Sequence, residues 1–222
     1  MCGRYSFTIK KEEVVALHPT IEYLDSWMES MNICPGDEAL VLRQEQGLHV
    51  VRMRWGMESG IKKLASSTLV INARSETVYQ KPTFSEAMTK RRCVVLADSF
   101  YEWRKYGKSK LPYRIHPGSG RMLYMAGVWD YLVGGRASFA ILTAQANSDV
   151  SGIHSRMPVC LWNPRDVVEW LHEETAVDSL HSLMRPSASG TLTSYPVSPL
   201  INQNSRKIGA FHEPFQEPPR LF

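Results

Sequence analysis

The stretch Cys93-Val94-Val95-Leu96-Ala97-Asp98-Ser99-Phe100-Tyr101-Glu102-Trp103-Arg104-Lys105 decides how the rest of the chain is read. Its first five residues form an unbroken apolar run, as expected of a strand buried on both faces. Phe100–Lys105 continues as a second strand and pairs across Tyr106-Gly107-Lys108-Ser109 with Leu111–His116. The same pattern of short β-type runs between Gly and Pro turns extends outward from there. Upstream, Ala39–Arg43 and His49–Trp55 flank Gln44-Glu45-Gln46-Gly47 as a hairpin, and Thr68–Ile71 is a second run expected to be buried on both faces. Downstream come Met122–Trp129 and Ala137–Thr143, then the shorter Pro158–Leu161 and Ser194–Val197. Helices are fewer: Lys10–Leu17, Phe84–Lys90, Val177–Met184 and Pro164–His172. The last of these is the best signalled, with Asn163 as N-cap, Pro164 at the first helical position and Asp166 in the first turn. No repeat or Gly/Ser-rich linker divides the chain. The expectation is one α+β domain with strands in the majority, a mixed or antiparallel barrel-like core and a few peripheral helices. That core covers about residues 2–204, and 205–222, with three prolines in its last ten residues, reads as an extended tail.

Composition narrows the function classes. The 222 residues are 43% hydrophobic and 22% charged, which excludes wholesale disorder. Lys and Arg number 26 against 22 Asp and Glu, a net charge of +4 that permits a polyanionic partner without demanding one. The longest apolar stretch, residues 122–133, is broken by Asp130 and falls short of the roughly 18 residues a membrane span needs. The start Met1-Cys2-Gly3-Arg4-Tyr5 carries no signal-peptide pattern, so a cytoplasmic location is expected, nucleoid-associated in a bacterium. Cys2, Cys34, Cys93 and Cys160 make no C-x-x-C pair, and no HExxH occurs. Neither a disulfide framework nor a metal or other cofactor is expected.

Four places have residues suited to chemistry. Loss of Met1 would leave Cys2 as a 1,2-aminothiol, whose α-amine, with a pKa of about 7.7–8.0, is roughly one-tenth unprotonated at neutral pH. Such an amine attacks aldehydes, and the thiol can close a five-membered ring on the imine carbon. Taken alone, Cys2 also reads as an incidental second residue. Asn72-Ala73-Arg74-Ser75-Glu76 follows an apolar strand, where polar residues often face a pocket mouth, or else form a capped turn with an Arg–Glu surface pair. Glu102 lies among Phe100, Tyr101 and Trp103. Desolvation there would raise its pKa and suit it to acid/base work, unless it points to solvent. Gly152-Ile153-His154-Ser155-Arg156-Met157-Pro158 puts a histidine and an arginine in a loop before a strand. The clusters Lys62-Lys63, Lys90-Arg91-Arg92 and Lys105–Lys110 read as solvated faces, or as a single-strand groove with Trp55, Trp103 and Tyr106 as stacking platforms.

Seven motifs then occur in order: Met1-Cys2-Gly3-Arg4-Tyr5; Asn32-Ile33-Cys34-Pro35-Gly36 with Trp55-Gly56; Ile71–Thr77; Ala97–Trp103; Ala126–Asp130; Ile153–Val159; and Tyr195–Ser198. Together they resemble the SRAP (SOS-response-associated peptidase) family of abasic-site-processing proteins over residues 2 to about 202. The resemblance implies a single barrel-like α+β domain and a mature N-terminal Cys2 that captures abasic sites in single-stranded DNA as a thiazolidine crosslink, with associated lyase-type chemistry; a monomer is expected because nothing in the sequence suggests a coiled coil or an obligate dimer. It implies Cys2 as nucleophile with Asn72, Glu102 and His154 as companions. Arg4, Arg74 and Arg156 would lie near the DNA phosphates or the site, and Pro35 and Trp103 would pack on bases. Single-stranded DNA is the implied partner, with the replication machinery as a candidate protein partner and no membrane. Cys34 departs from the family's usual Ala, and residues 79–82 lack an arginine that some members carry. Two other readings stay open: an N-terminal-Cys autoproteolytic peptidase, and a non-covalent single-stranded nucleic-acid-binding module.

Overall fold

The computed structural model describes residues 2–58, 69–118, 120 and 122–216. In chain order the first elements are β1 (Tyr5–Phe7), α1 (Lys11–Leu17), β2 (Glu22–Tyr23), β3 (Ser30–Ile33), β4 (Glu38–Gln44) and β5 (Leu48–Trp55). Next come β6 (Met57–Glu58), β7 (Leu69–Val70), β8 (Asn72–Arg74), α2 (Pro82–Lys90), β9 (Arg92–Ala97) and β10 (Ser99–Tyr106). β11 (Ser109–Pro117), β12 (Leu123–Tyr131), β13 (Ala137–Gln145), α3 (Ser148–Ser151), β14 (Arg156–Pro158) and β15 (Cys160–Leu161) follow. The chain then forms α4 (Pro164–Leu171), α5 (Val177–Leu183) and β16 (Leu192–Pro196).

The strands form two main sheets rather than one clean barrel. The larger runs β14-β13-β12-β9-β4-β5-β2, and β13 also pairs in parallel with β5 through Ser138↔Arg54 and Phe139↔Trp55. That extra pairing closes β5-β4-β9-β12-β13 on itself around Val41, Val95, Met125 and Ile141, all fully buried. The smaller sheet runs β16-β11-β10-β1-β3. Every residue of β9 is buried, as the apolar run predicts for a strand covered on both faces. The other run expected to be covered on both faces differs. Thr68 lies outside the described residues, and Leu69, Val70 and Ile71 are only half-buried, because β7 pairs with the two-residue β6 at the margin of the structure.

Two glycines are required where they stand. Gly56 has φ +125° at the end of β5, a conformation side chains rarely adopt, and its N–H donates to the Phe139 carbonyl at 2.8 Å. A Cβ at Gly127 would meet Cys93 Sγ at 3.0 Å and the Ala140 oxygen at 3.1 Å, so β12 can lie between β9 and β13 only with glycine there.

The helices form where the caps place them. The Asn163 side chain accepts the Asp166 N–H at 2.9 Å at the start of α4. Arg92, read as part of a solvated basic face, is instead buried. It donates to the Met88 and Thr89 carbonyls of α2 and to the Trp170, His172 and Glu173 carbonyls at the end of α4. One guanidinium thus satisfies the orphan carbonyls of two helix C-termini, where a cation also meets the favourable end of the helix dipole. Lys62 and Lys63 lie outside the described residues. Residues 205–216, expected to begin an extended tail, have no helix or strand but pack against the smaller sheet. Phe211 is 1% exposed against Tyr101, Val197 and Ile201. No helix among the described residues is long and apolar enough to cross a membrane.

Candidate active site

Backbone alternation on β10 sorts the candidate residues. Residues two apart on a strand share a face. Phe100 belongs to the main core with Cys2, whereas Tyr101 belongs to the smaller cluster that Trp103 borders. Glu102 therefore turns with Phe100 toward Cys2, and Trp103 turns with Tyr101 toward the C-terminal segment. The register of β1 against β10 brings the N-terminus alongside: Tyr5 pairs with Phe100, Ser6 with Ser99, and the Tyr101 N–H donates to the Arg4 carbonyl at 2.9 Å. Continuing that antiparallel count sets Gly3 opposite Glu102, with Cys2 one residue beyond.

Asn72 fixes Cys2 from the other side. It opens β8, which pairs in parallel with β13, and its Nδ2 donates to the Cys2 carbonyl at 2.8 Å. The Asn72 Oδ1 is buried and finds no partner among the described residues. His154 follows the single turn of α3, and its Nδ1 lies 3.7 Å from Glu102 Oε1. The same Nδ1 is 3.0 Å from the Arg156 N–H and 3.1 Å from the Arg156 carbonyl. When Nδ1 accepts the N–H, the neutral ring carries its proton on Nε2; when Nδ1 is protonated, it donates to the carbonyl and faces Glu102. Cys2, Asn72, Glu102 and His154 thus converge at one place.

The electrostatics are set by burial. Glu102 is 3% exposed, and desolvation raises its pKa above the ordinary carboxylate value, with the charge of His154 pulling the other way. The solvent-pointing alternative for Glu102 is excluded by that burial. Cys2 is fully buried, and burial, reinforced by the Glu102 charge, pushes its thiol far above the ordinary range. The sulfur is a protonated thiol at neutral pH rather than a thiolate. Cavities of 460 and 590 Å³ open beside α4 with none of these four residues in their walls, so volume alone would have missed the site.

The five residues expected at DNA divide into two further groups. Arg4 is engaged within the protein: Nη1 donates to Asn32 Oδ1 at 3.0 Å and the Ile201 carbonyl at 2.7 Å, and Nη2 to Asn204 Oδ1 at 2.8 Å. Its guanidinium lies 6.0 Å from the centre of the half-exposed Trp103 ring, whose Nε1 donates to Asn202 Oδ1 at 3.0 Å. Pro35 is exposed next to Cys34, whose Sγ accepts from Arg4 Nη1 at 3.3 Å, so the cysteine fits where the family usually has Ala. Arg74 is exposed on β8. Arg156 is held by Glu76 through two bonds, of 2.6 and 2.9 Å, and also donates to the Thr143 carbonyl.

Sequence reasoning missed the residues that hold this frame. Asp98 accepts from the Thr8 N–H at 2.6 Å and Thr8 Oγ1 at 2.8 Å, from Ser6, and from Arg114 of β11. Asp98 stood inside a quoted motif, but nothing in its spacing marked it as the anchor of the N-terminal strand. Thr143, buried on β13, is likewise placed by tertiary contact alone, with its Oγ1 3.2 Å from Arg156 Nη2.

The family model for SOS response associated peptidase (SRAP) matches residues 1–204, and every one of these site residues falls inside it. The chain belongs to the SRAP family. Among curated SRAP relatives, the abasic site processing protein YoqW of Bacillus subtilis is 31% identical over 212 residues, covering 91% of this chain and 94% of that protein. The abasic site processing protein YedK of Escherichia coli is 30% identical over 183 residues, covering 78% and 81%. A solved protein from Bacteroides thetaiotaomicron shares the SRAP-like fold with a TM-score of 0.85, at 22% identity and 97% coverage of this chain. Residues 205–216 lie beyond the SRAP match yet pack against residues within it, as Lys207 does on Asp37.

Proposed function

We propose that this SRAP protein processes abasic sites in single-stranded DNA by capturing the sugar aldehyde covalently on Cys2 after Met1 is removed. The observation that carries the reading is the convergence of Cys2, Asn72, Glu102 and His154, with a buried acid beside a buried thiol. The raised thiol pKa orders the steps: the α-amine attacks first, because the sulfur is not a thiolate. Glu102, protonated more readily than an exposed carboxyl, donates to the departing hydroxyl of the carbinolamine, and water leaves as the iminium forms. The Cys2 sulfur then attacks the iminium carbon and gives its proton to the Glu102 carboxylate. The C–S bond closes a thiazolidine and removes the electron sink that would otherwise drive β-elimination of the strand. Asn72 positions the Cys2 carbonyl, and its unpartnered Oδ1 is an acceptor for the amine or a sugar hydroxyl. His154, on the rim and less buried than Glu102, is placed to exchange a proton with the sugar oxygen.

The test is a labelled oligonucleotide with one abasic site, incubated with protein and run on a denaturing gel. The wild type is expected to give a stable shifted band, and Cys2→Ala is expected to give none. An equal band from Cys2→Ala would refute the role of the aminothiol.

A further inference from the structure

Arg156 is one of three arginines that the resemblance sets near the DNA phosphates or the site, yet here its guanidinium already holds an anion. Glu76 lies against it with both carboxylate oxygens, Oε1 on Nη1 at 2.6 Å and Oε2 on Nη2 at 2.9 Å. This is the two-pronged geometry that guanidinium offers to phosphate as well as to carboxylate. The two partners are unequal. The Arg156 side chain is 17% exposed and is tied to the Thr143 carbonyl and hydroxyl, so it is fixed. The Glu76 side chain, on the one-turn segment Ser75–Thr77, is 50% exposed and is the more solvated of the two.

We propose that Glu76 is an internal competitor for DNA: it occupies the phosphate-binding fork of Arg156 until a backbone phosphate displaces it. The carboxylate side of the pair is half solvated and screened by salt, so it yields to a phosphate held by further contacts but resists a strand that offers only that one. Glu76 is thereby a specificity-determining residue, raising the threshold for undamaged single strands above that for a strand anchored at Cys2. Its carboxyl is held below the ordinary range, first by hydrogen bonding to Arg156, then by its own backbone N–H and by the charges of Arg156 and Arg74, so the competitor stays ionised at neutral pH. The inference rests on the proposed single-strand binding but not on the covalent step.

The test is the affinity of the full chain for an undamaged single-stranded oligonucleotide at low salt, by fluorescence anisotropy. Glu76→Gln is expected to bind about two- to fivefold more tightly than the wild type. Glu45→Gln is the control for net charge, because it also removes a carboxylate from an arginine pair, with Arg43, on the β4–β5 turn. Unchanged or weaker binding by Glu76→Gln, or a gain no larger than that of Glu45→Gln, overturns the proposal. In a double-mutant cycle, Arg156→Gln is expected to cost more in the Glu76→Gln background than in the wild type, since the freed fork then contributes fully. An equal or smaller cost means Glu76 merely props Arg156 and also overturns it. If no variant binds single strands while capture of an abasic oligonucleotide persists, the competitor role fails alone; if capture fails too, the proposed function fails.

Discussion

Glu102 is where stability and chemistry pull in opposite directions. Burial raises its pKa, so folding favours the protonated form. That contribution is fully present below the ordinary carboxylate value of about 4.3 and is lost as pH rises through the raised one. Glu102→Gln removes the ionisation while keeping the shape. Its melting temperature is expected to equal or exceed that of the wild type at neutral pH, the gap opening as pH rises from about 4.3 through the raised value and staying constant above it. Its capture rate is expected to fall by about 10²- to 10⁴-fold, the usual worth of a positioned acid/base. A variant that both melts earlier and captures normally would contradict this account of Glu102. At this scale residue type and neighbours nominated candidates, an aminothiol at the second position and a carboxyl among aromatics, and the family resemblance joined them with Asn72 and His154. The two arginines Arg4 and Arg156 were legible as cations but not as engaged ones, since their partners lie far away in sequence, Ile201 and Asn204 for one and Glu76 for the other.

At the scale of elements, β1 is three residues long and owes its position to what it is tied to. Asp98, at the turn between β9 and β10, gathers Ser6, Thr8 and Arg114 and so fastens the N-terminal strand to the smaller sheet. Asp98→Asn turns an acceptor of several donors into a partial donor. It is expected to cost about 2 kcal/mol, from lost hydrogen bonds to a charged group, measured by urea unfolding. Because β1 carries Cys2 to Glu102, capture is expected to slow as well; an unchanged midpoint and rate would show that β1 is held by its backbone ladder alone. The long strands β9 to β13 and the helix capped by Asn163 were readable because apolar runs, turn residues and caps act locally. β1, β3 and β8 were not, for they are only three or four residues each and exist through pairing with β10, β1 and β13. Arg92 was misread as solvated for a related reason: only the approach of α2 and α4 gives its five donors their carbonyls.

Across the described residues, the closed ring of the larger sheet and the smaller sheet meet where Cys2 lies, and the candidate residues come from both. Cys2 and Glu102 belong to the smaller sheet's side, while Asn72 and the segment carrying His154 come from β8 and the loop before β14 of the larger one. Sequence order could name these residues but not the seam that assembles them, because closure of the ring depends on the parallel β13–β5 contact between segments more than eighty residues apart. Under the proposed function the seam makes sense of the burial of Cys2: once Met1 is lost, an aminothiol there is shielded from bulk water and meets an aldehyde beside a proton donor. The most direct measurement of this claim is the intact mass of the protein–oligonucleotide adduct formed with an abasic strand. The account predicts a chain lacking Met1, joined to the oligonucleotide with loss of one water, and stable without any reductant. An adduct on a chain that retains Met1, or one that survives only after borohydride trapping, would contradict it.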